Sequence, residues 1–267
     1  MNHLVLFTLI LILISCLTVP LTADTLSGQG DYLSLCLSFR EAVVDTLTDI
    51  DEQAAALSLR LADPDIRDED IRPLLESLID ANPSVDSVAL VSPDGRITHI
   101  SPNSYESLTG TEVSSRLPRD DQIRPYISSK PAYTLPTGLN QTDNPGRDLV
   151  WPVRTIQGIG SLVIHIHDTN FGYMVAKKAG LNPDVFAVLM DNDGNVLWCS
   201  DYDELNSVPP ENVLTEFPTF REVKDLVRYA WTGRTVYDVW NSTGIVRTGA
   251  WSAALVYDQV YRVFVAG

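Results

Sequence analysis

The 267 residues carry a net charge of −16, with 45% hydrophobic side chains. A surface this acidic repels polyanions, which excludes nucleic acid as a partner and disfavours adsorption to anionic lipid. Without an export segment, roughly 245 residues remain, enough for two small domains of about 100 residues each and their connecting helices.

Residues 4–21 contain no charged side chain, the mark of an export signal or a membrane anchor. Leu13-Ile14-Ser15-Cys16 is similar to a lipoprotein lipobox and makes Cys16 the expected lipidation site. Cleavage after Ala23 and an uncleaved signal anchor are the alternatives. Each of the three places the remaining chain on the extracellular side of the cell membrane. The sequence suggests no second span and no output domain after its last strand, so a bound state would be read by a separate protein. Cys36 and Cys199 lie in different halves and read as two buried free thiols. Asn140-Gln141-Thr142 and Asn241-Ser242-Thr243 fit the glycosylation pattern, which matters only in a host that glycosylates.

Residues 31–62 read as one long helix with a three-and-four apolar spacing at Leu33, Cys36, Val43, Leu47, Ile50, Ala54, Leu57 and Leu61. That stripe is expected to pack within the chain, and its length leaves a homodimer open. A shorter helix is predicted at 70–81, preceded by Asp68-Glu69-Asp70 as caps and solvated charge. Strands follow at 85–92 and 96–101, joined by Pro93-Asp94-Gly95. Residues 102–147 are rich in turn formers and read as loops with short helices. Strands return at 148–154 and 161–167, and a helix near 172–180 connects to strands at 185–191 and 195–200. Thr219 and Glu222 form a capping box for a helix at 220–231, with Phe220, Val223, Val227 and Trp231 on one face and Gly233 as its stop. Strands at 234–240, 245–256 and 260–266 end the chain.

Val88-Ala89-Leu90-Val91-Ser92-Pro93-Asp94-Gly95-Arg96-Ile97 returns 99 residues later as Ala187-Val188-Leu189-Met190-Asp191-Asn192-Asp193-Gly194-Asn195-Val196. Both copies reach a serine, Ser101 and Ser200, and each half has a tryptophan ahead of its last apolar run, Trp151 and Trp251. A period this long signals two similar domains in tandem rather than a solenoid. The expected fold is α+β, a long N-terminal helix and two antiparallel sheets with flanking helices.

Chemistry-bearing motifs are few. Asp191-Asn192-Asp193-Gly194-Asn195 has Tyr202 where an EF-hand needs its closing Glu, so a hairpin turn is the reading. His165 and His167 share a strand face beside Asp168, but a third fixed ligand is not apparent, and no metal is assigned. No nucleophile elbow, zinc-protease motif or phosphate loop occurs, so neither an enzyme nor a cofactor is expected. Residues 116–154 are locally basic, with six cationic and four anionic side chains, which hints at an anionic ligand.

The element order, the paired strand-Asp-Gly-strand openings and Gly110-Thr111-Glu112-Val113-Ser114-Ser115-Arg116 together resemble the double Cache family, tandem PAS-like extracellular sensor domains of chemoreceptors and histidine kinases. The resemblance covers about residues 31–267. After the signal or anchor at 1–23 it implies helices at 31–82, a membrane-distal Cache domain at 83–168, a connector at 169–184 and a membrane-proximal one at 185–267. It also implies a ligand site in the distal domain. Arg124 stands where the family's carboxylate-binding Arg would be, Tyr126 replaces its Trp, and Tyr133 matches a later Tyr. His165 occupies the place of an Asp that takes the ammonium of amino-acid ligands, which points toward an organic anion. Trp151 and Arg116 complete the expected ligand-binding set. The function so read is a membrane-anchored sensor of a small carboxylate-bearing molecule, signalling through a receptor or kinase partner; the alternative is an interaction or envelope protein using the fold without a ligand.

Overall fold

Helix α1, Tyr32–Leu61, begins where Asp31 accepts a hydrogen bond from the Ser34 amide at 3.2 Å. Its 30 residues span about 45 Å at 1.5 Å per residue. The predicted stripe is buried along its length, with Phe39 added to it. The computed structural model describes residues 31–113, 124–129, 132–133, 146–155, 158–207, 217–239 and 245–267. The expected lipidation site Cys16, the alternative cleavage position after Ala23, Arg116 and both glycosylation motifs fall outside these residues. Among the described residues no helix is long and apolar enough to cross a membrane.

Helix α2 (Asp68–Ala81) carries Asp68, Glu69 and Asp70 in its first turn, where the helix dipole favours negative charge. The first sheet holds β1 (Val85–Val91), β2 (Ile97–Ser101), β3 (Tyr126–Ser128), β4 (Gly146–Thr155) and β5 (Gly158–His167) in the order β2-β1-β5-β4-β3. The second holds β6 (Phe186–Met190), β7 (Val196–Cys199), β8 (Thr232–Val239), β9 (Ile245–Val256) and β10 (Gln259–Ala266) in the order β7-β6-β10-β9-β8. The two orders are the same, and every pairing is antiparallel. Helix α3 (Asp168–Lys178) joins the sheets. Helices α4 (Tyr202–Leu205) and α5 (Phe220–Tyr229) belong to the second half.

Each sheet has one face toward α1. Leu162, Ile164 and Ile166 of β5 and Val263 and Val265 of β10 share a single core with Phe39, Val43, Leu47 and Ile50 of the helix. The opposite faces have separate cores, around Val91, Ile100, Tyr105 and Val163 in the first half and around Phe186, Phe220, Tyr237 and Phe264 in the second. Both thiols are free and buried as expected. Burial is the main reason that each is pushed up to about 12, which keeps them as unreactive thiols.

Three sequence readings are corrected. Helix α5 ends at Tyr229, so Trp231 lies beyond it and is 57% exposed instead of lining the apolar face. Its capping box is present, but Gly233 sits inside β8 and does not stop the helix; a Cβ there would strike the Trp251 ring. Trp151 and Trp251 are also not equivalent. Trp151 pairs with Leu162 and packs toward α1, whereas Trp251 pairs with Phe264 in the core on the other face. The two are one residue out of register, which in a strand reverses the side of the sheet.

The two sheets are also tied by a buried ion pair. Arg147 of β4 donates from Nε to Asp168 at 2.8 Å and from Nη2 at 3.3 Å, and its guanidinium lies 5.3 Å from the centre of the Tyr261 ring on β10. Removing one member of such a pair strands the other charge. Asp168→Asn is expected to cost about 3–5 kcal/mol in urea unfolding, whereas a similar change at exposed Asp49, paired with Lys178, is expected to cost under about 1 kcal/mol.

Candidate functional site

The face of the first sheet turned away from α1 carries a row of polar side chains. Ser128 of β3 is the register partner of Asp148 on β4, Asp148 of His165 on β5, and His165 of Ser87 on β1. Strand neighbours in register lie on one face, so four polar groups cross the sheet side by side. Asp148, His165 and Ser87 are each at most 4% exposed.

Hydrogen bonds hold the row in place. The Nδ1 of His165 faces Asp148 Oδ1 at 2.7 Å, and the Ala132 amide donates to Asp148 Oδ2. Both carboxylate oxygens are thereby engaged. The hydroxyls of Ser87 and Tyr133 are 2.7 Å apart, and Tyr105 donates to Asp86 at 3.0 Å at the border of the cluster. The other ring nitrogen of His165, Nε2, is buried and has no hydrogen-bond partner. It lies against Gly146, where a Cβ would come within 2.5 Å of it.

Burial is the largest influence on His165 and opposes its charge. The hydrogen bond and charge of Asp148, with Asp86 and Asp168 behind it, outweigh that and hold its pKa above the ordinary value. With Nδ1 committed to Asp148, the protonated ring presents Nε2–H as a donor, and the neutral ring presents a bare acceptor there. The site can therefore offer a buried, charge-assisted donor whose identity depends on pH.

The expected site residues are only partly brought together. His165 and Tyr133 lie in the cluster, and Tyr126 packs beside it against the core of that face. Arg124 is exposed at the edge of the sheet, two residues before β3 begins. Trp151 is on the other face, where its Nε1 donates to Ser58 Oγ of α1 at 3.1 Å, so it does not join the cluster. His167 is spent as the N-cap of α3, its Nδ1 accepting from the Asn170 amide at 3.3 Å. Among the described residues no group of three or more His, Cys, Asp or Glu is placed to hold a metal. The Asp191 turn is a hairpin turn, with Asp191 accepting from the amides of Asp193 and Asn195. The residue missed from sequence is Asp148. An aspartate two positions before Val150 in an apolar strand was the available signal, and it acquires meaning only once β4 is paired with β5.

The second sheet lacks the row. The corresponding register partners are Thr235, Gly249, Ala266 and Phe186. Phe186, Phe220, Tyr237 and Phe264 fill the space beside them with ring centroids 5.0 to 6.4 Å apart.

Comparisons agree with this architecture. Residues 45–130 match the family model described as HK/GC/Chemotaxis protein-like, sensor domain. No curated protein matches the chain. Among solved structures, an extracellular ligand binding receptor from Desulfohalobium retbaense is 19% identical with a TM-score of 0.63, over 88% of this chain and 40% of that one. This chain thus spans less than half of that receptor. The ligand-binding domain of the Campylobacter jejuni chemoreceptor Tlp3, in complex with 4-methylisoleucine, is 14% identical with a TM-score of 0.58, over 88% and 89%. The periplasmic sensory domain of the C. jejuni chemoreceptor Tlp1 is 11% identical with a TM-score of 0.51, over 90% and 94%. The chain therefore has the tandem PAS-like fold of the extracellular sensor domains that its sequence resembles, and these matches are sensor and ligand-binding domains rather than enzymes.

Two outcomes follow from the cluster. Gly146→Ala is expected to cost about 1–3 kcal/mol, because the new Cβ meets the His165 ring and the Ile166 carbonyl oxygen at 2.6 Å or less. His165, with its pKa raised on folding, contributes stability that is fully present below about pH 6.5 and is lost as pH rises through the folded value. Urea midpoints measured from pH 5 to 9 are expected to show that fall, and the fall is expected to disappear in His165→Gln.

Proposed function

We propose that this chain is an extracellular, membrane-anchored sensor module that binds a small carboxylate-bearing molecule against the polar face of the first, membrane-distal sheet. The observation that carries the reading is the Nε2 of His165, buried, unpartnered and backed by Asp148. A protonated imidazole held in this way is a preorganised donor for a carboxylate oxygen. Tyr133 and Tyr126 wall the site, and Arg124 at the sheet edge adds a second cation for the anionic end. Arg116 and the surrounding basic residues extend that positive rim in sequence. The bound state is read by a receptor or kinase partner.

The sensor-domain match over residues 45–130 supports the class. Solved structures of the Tlp3 domain hold isoleucine, 4-methylisoleucine and valine, each of which carries a carboxylate. Asp148 changes what the sequence reading implied about amines: a carboxylate does stand beside His165, but both of its oxygens are committed to His165 and Ala132. The ligand's anionic group is therefore the better-recognised end.

Thermal unfolding against a panel of organic acids, amino acids and amines tests this. A ligand at 100 times its Kd adds about 2.7 kcal/mol and moves the midpoint by several degrees. The expected hit carries a carboxylate, and its shift disappears in His165→Ala and shrinks in Arg124→Ala. Its affinity is expected to fall as pH rises through the His165 pKa, because Nε2 then loses its proton. A panel with no hit would favour an interaction protein that uses the fold without a small ligand, and a hit indifferent to His165→Ala would place the ligand away from this polar face.

A further inference from the structure

Arg262 of β10 is 8% exposed, and its Nε and Nη1 are buried with no hydrogen-bond partner. It alternates with Phe264 and Ala266, which places it on the face of the second sheet turned away from α1, beneath α5. Its register partners are Met190 and Ala253. No carboxylate among the described residues lies within ion-pair distance of it. The charge that bears on it is that of another cation, Arg228 in the last turn of α5. Both lie toward the turn that follows Met190: Arg228 Cδ is 3.3 Å from a Cβ position at Gly194 in that turn, and Met190 is the register partner of Arg262.

A buried guanidinium beside a second, without a counter-charge, is among the costlier arrangements a fold can hold. Burial depresses the pKa of Arg262, and the charge of Arg228 adds to the effect. The carboxylate of the neighbouring turn does not relieve it: Asp191 spends its oxygens on the Asp193 and Asn195 amides and the Asn195 side chain. In the first sheet the corresponding register position, opposite Val91, is Ser161, so the cation belongs to the second copy alone.

We infer that Arg262 and Arg228 form a second binding site, specific to the second sheet, for an oxyanion: a phosphate, a sulfate or a carboxylate group. Arg262 supplies directional donors from below, and half-buried Arg228 closes over the anion from α5. The site is distinct from the His165 cluster, which lies on the other sheet.

Thermal unfolding of the full chain with inorganic phosphate, sulfate or succinate, each against chloride at equal ionic strength, tests the inference. The expected result is a midpoint rise of several degrees with at least one oxyanion. A larger rise with phosphate than with succinate assigns a phosphate group, and the reverse assigns a carboxylate. Arg262→Met is expected to abolish the rise while leaving the anion-free protein as stable or more stable. Arg228→Ala, nearer the surface, weakens the anion affinity about tenfold or more. His165→Gln keeps the response, which separates this site from the first. A midpoint unmoved by all three anions, a rise that survives Arg262→Met in a His165→Gln background, or an affinity unchanged by Arg228→Ala overturns the inference.

Discussion

The burial of one face of α1 against both sheets is the constraint on which the structure rests. Neither sheet can complete its apolar face alone, because the strands that point Leu162, Ile164 and Ile166 or Val263 and Val265 to one side need something to cover them. The helix covers both in succession. Near its start, Cys36 lies against the Val263 carbonyl of the second sheet and Phe39 against the Trp198 ring; near its end, Ser58 accepts from Trp151 of the first. One continuous core results from two duplicated units, and each sheet's remaining face is left to diverge.

Divergence on those faces separates the halves. The first keeps a row of hydrogen-bonded polar side chains that includes a buried, unpartnered imidazole nitrogen. The second replaces the same positions with Thr235, Gly249, Ala266 and Phe186 and packs aromatic rings beside them. Buried polar groups are retained where their hydrogen bonds are satisfied or where one is reserved for a ligand. Between the halves, Arg147 adjoins Asp148 in sequence yet points to Asp168 and Tyr261, since successive residues of a strand face opposite sides. The polar row and the ion pair that ties the sheets thus share one strand, and displacement of β4 would be felt by both.

Much of the fold was legible because it is local. The 3.6-residue period of α1, the alternating strands, the Asp-Gly turns and the Thr219–Glu222 capping box are short-range patterns, each set by neighbours a few positions apart. The repeat at 99 residues supplied the tandem arrangement. Trp231 was misread because it continues the helical apolar spacing, while β8 begins at the next residue and pulls the chain out of the helix.

Sequence alone therefore determined the element types, their order, the duplication and the acidic character of the chain. Only tertiary structure decided which face each strand presents and which distant residues become neighbours. A shift of one residue in register put Trp151 and Trp251 on opposite faces, and the pairing of β4 with β5 brought Asp148 to His165 across 17 positions of sequence. Register is a property of paired strands rather than of either one, so no pattern within a single strand can fix it.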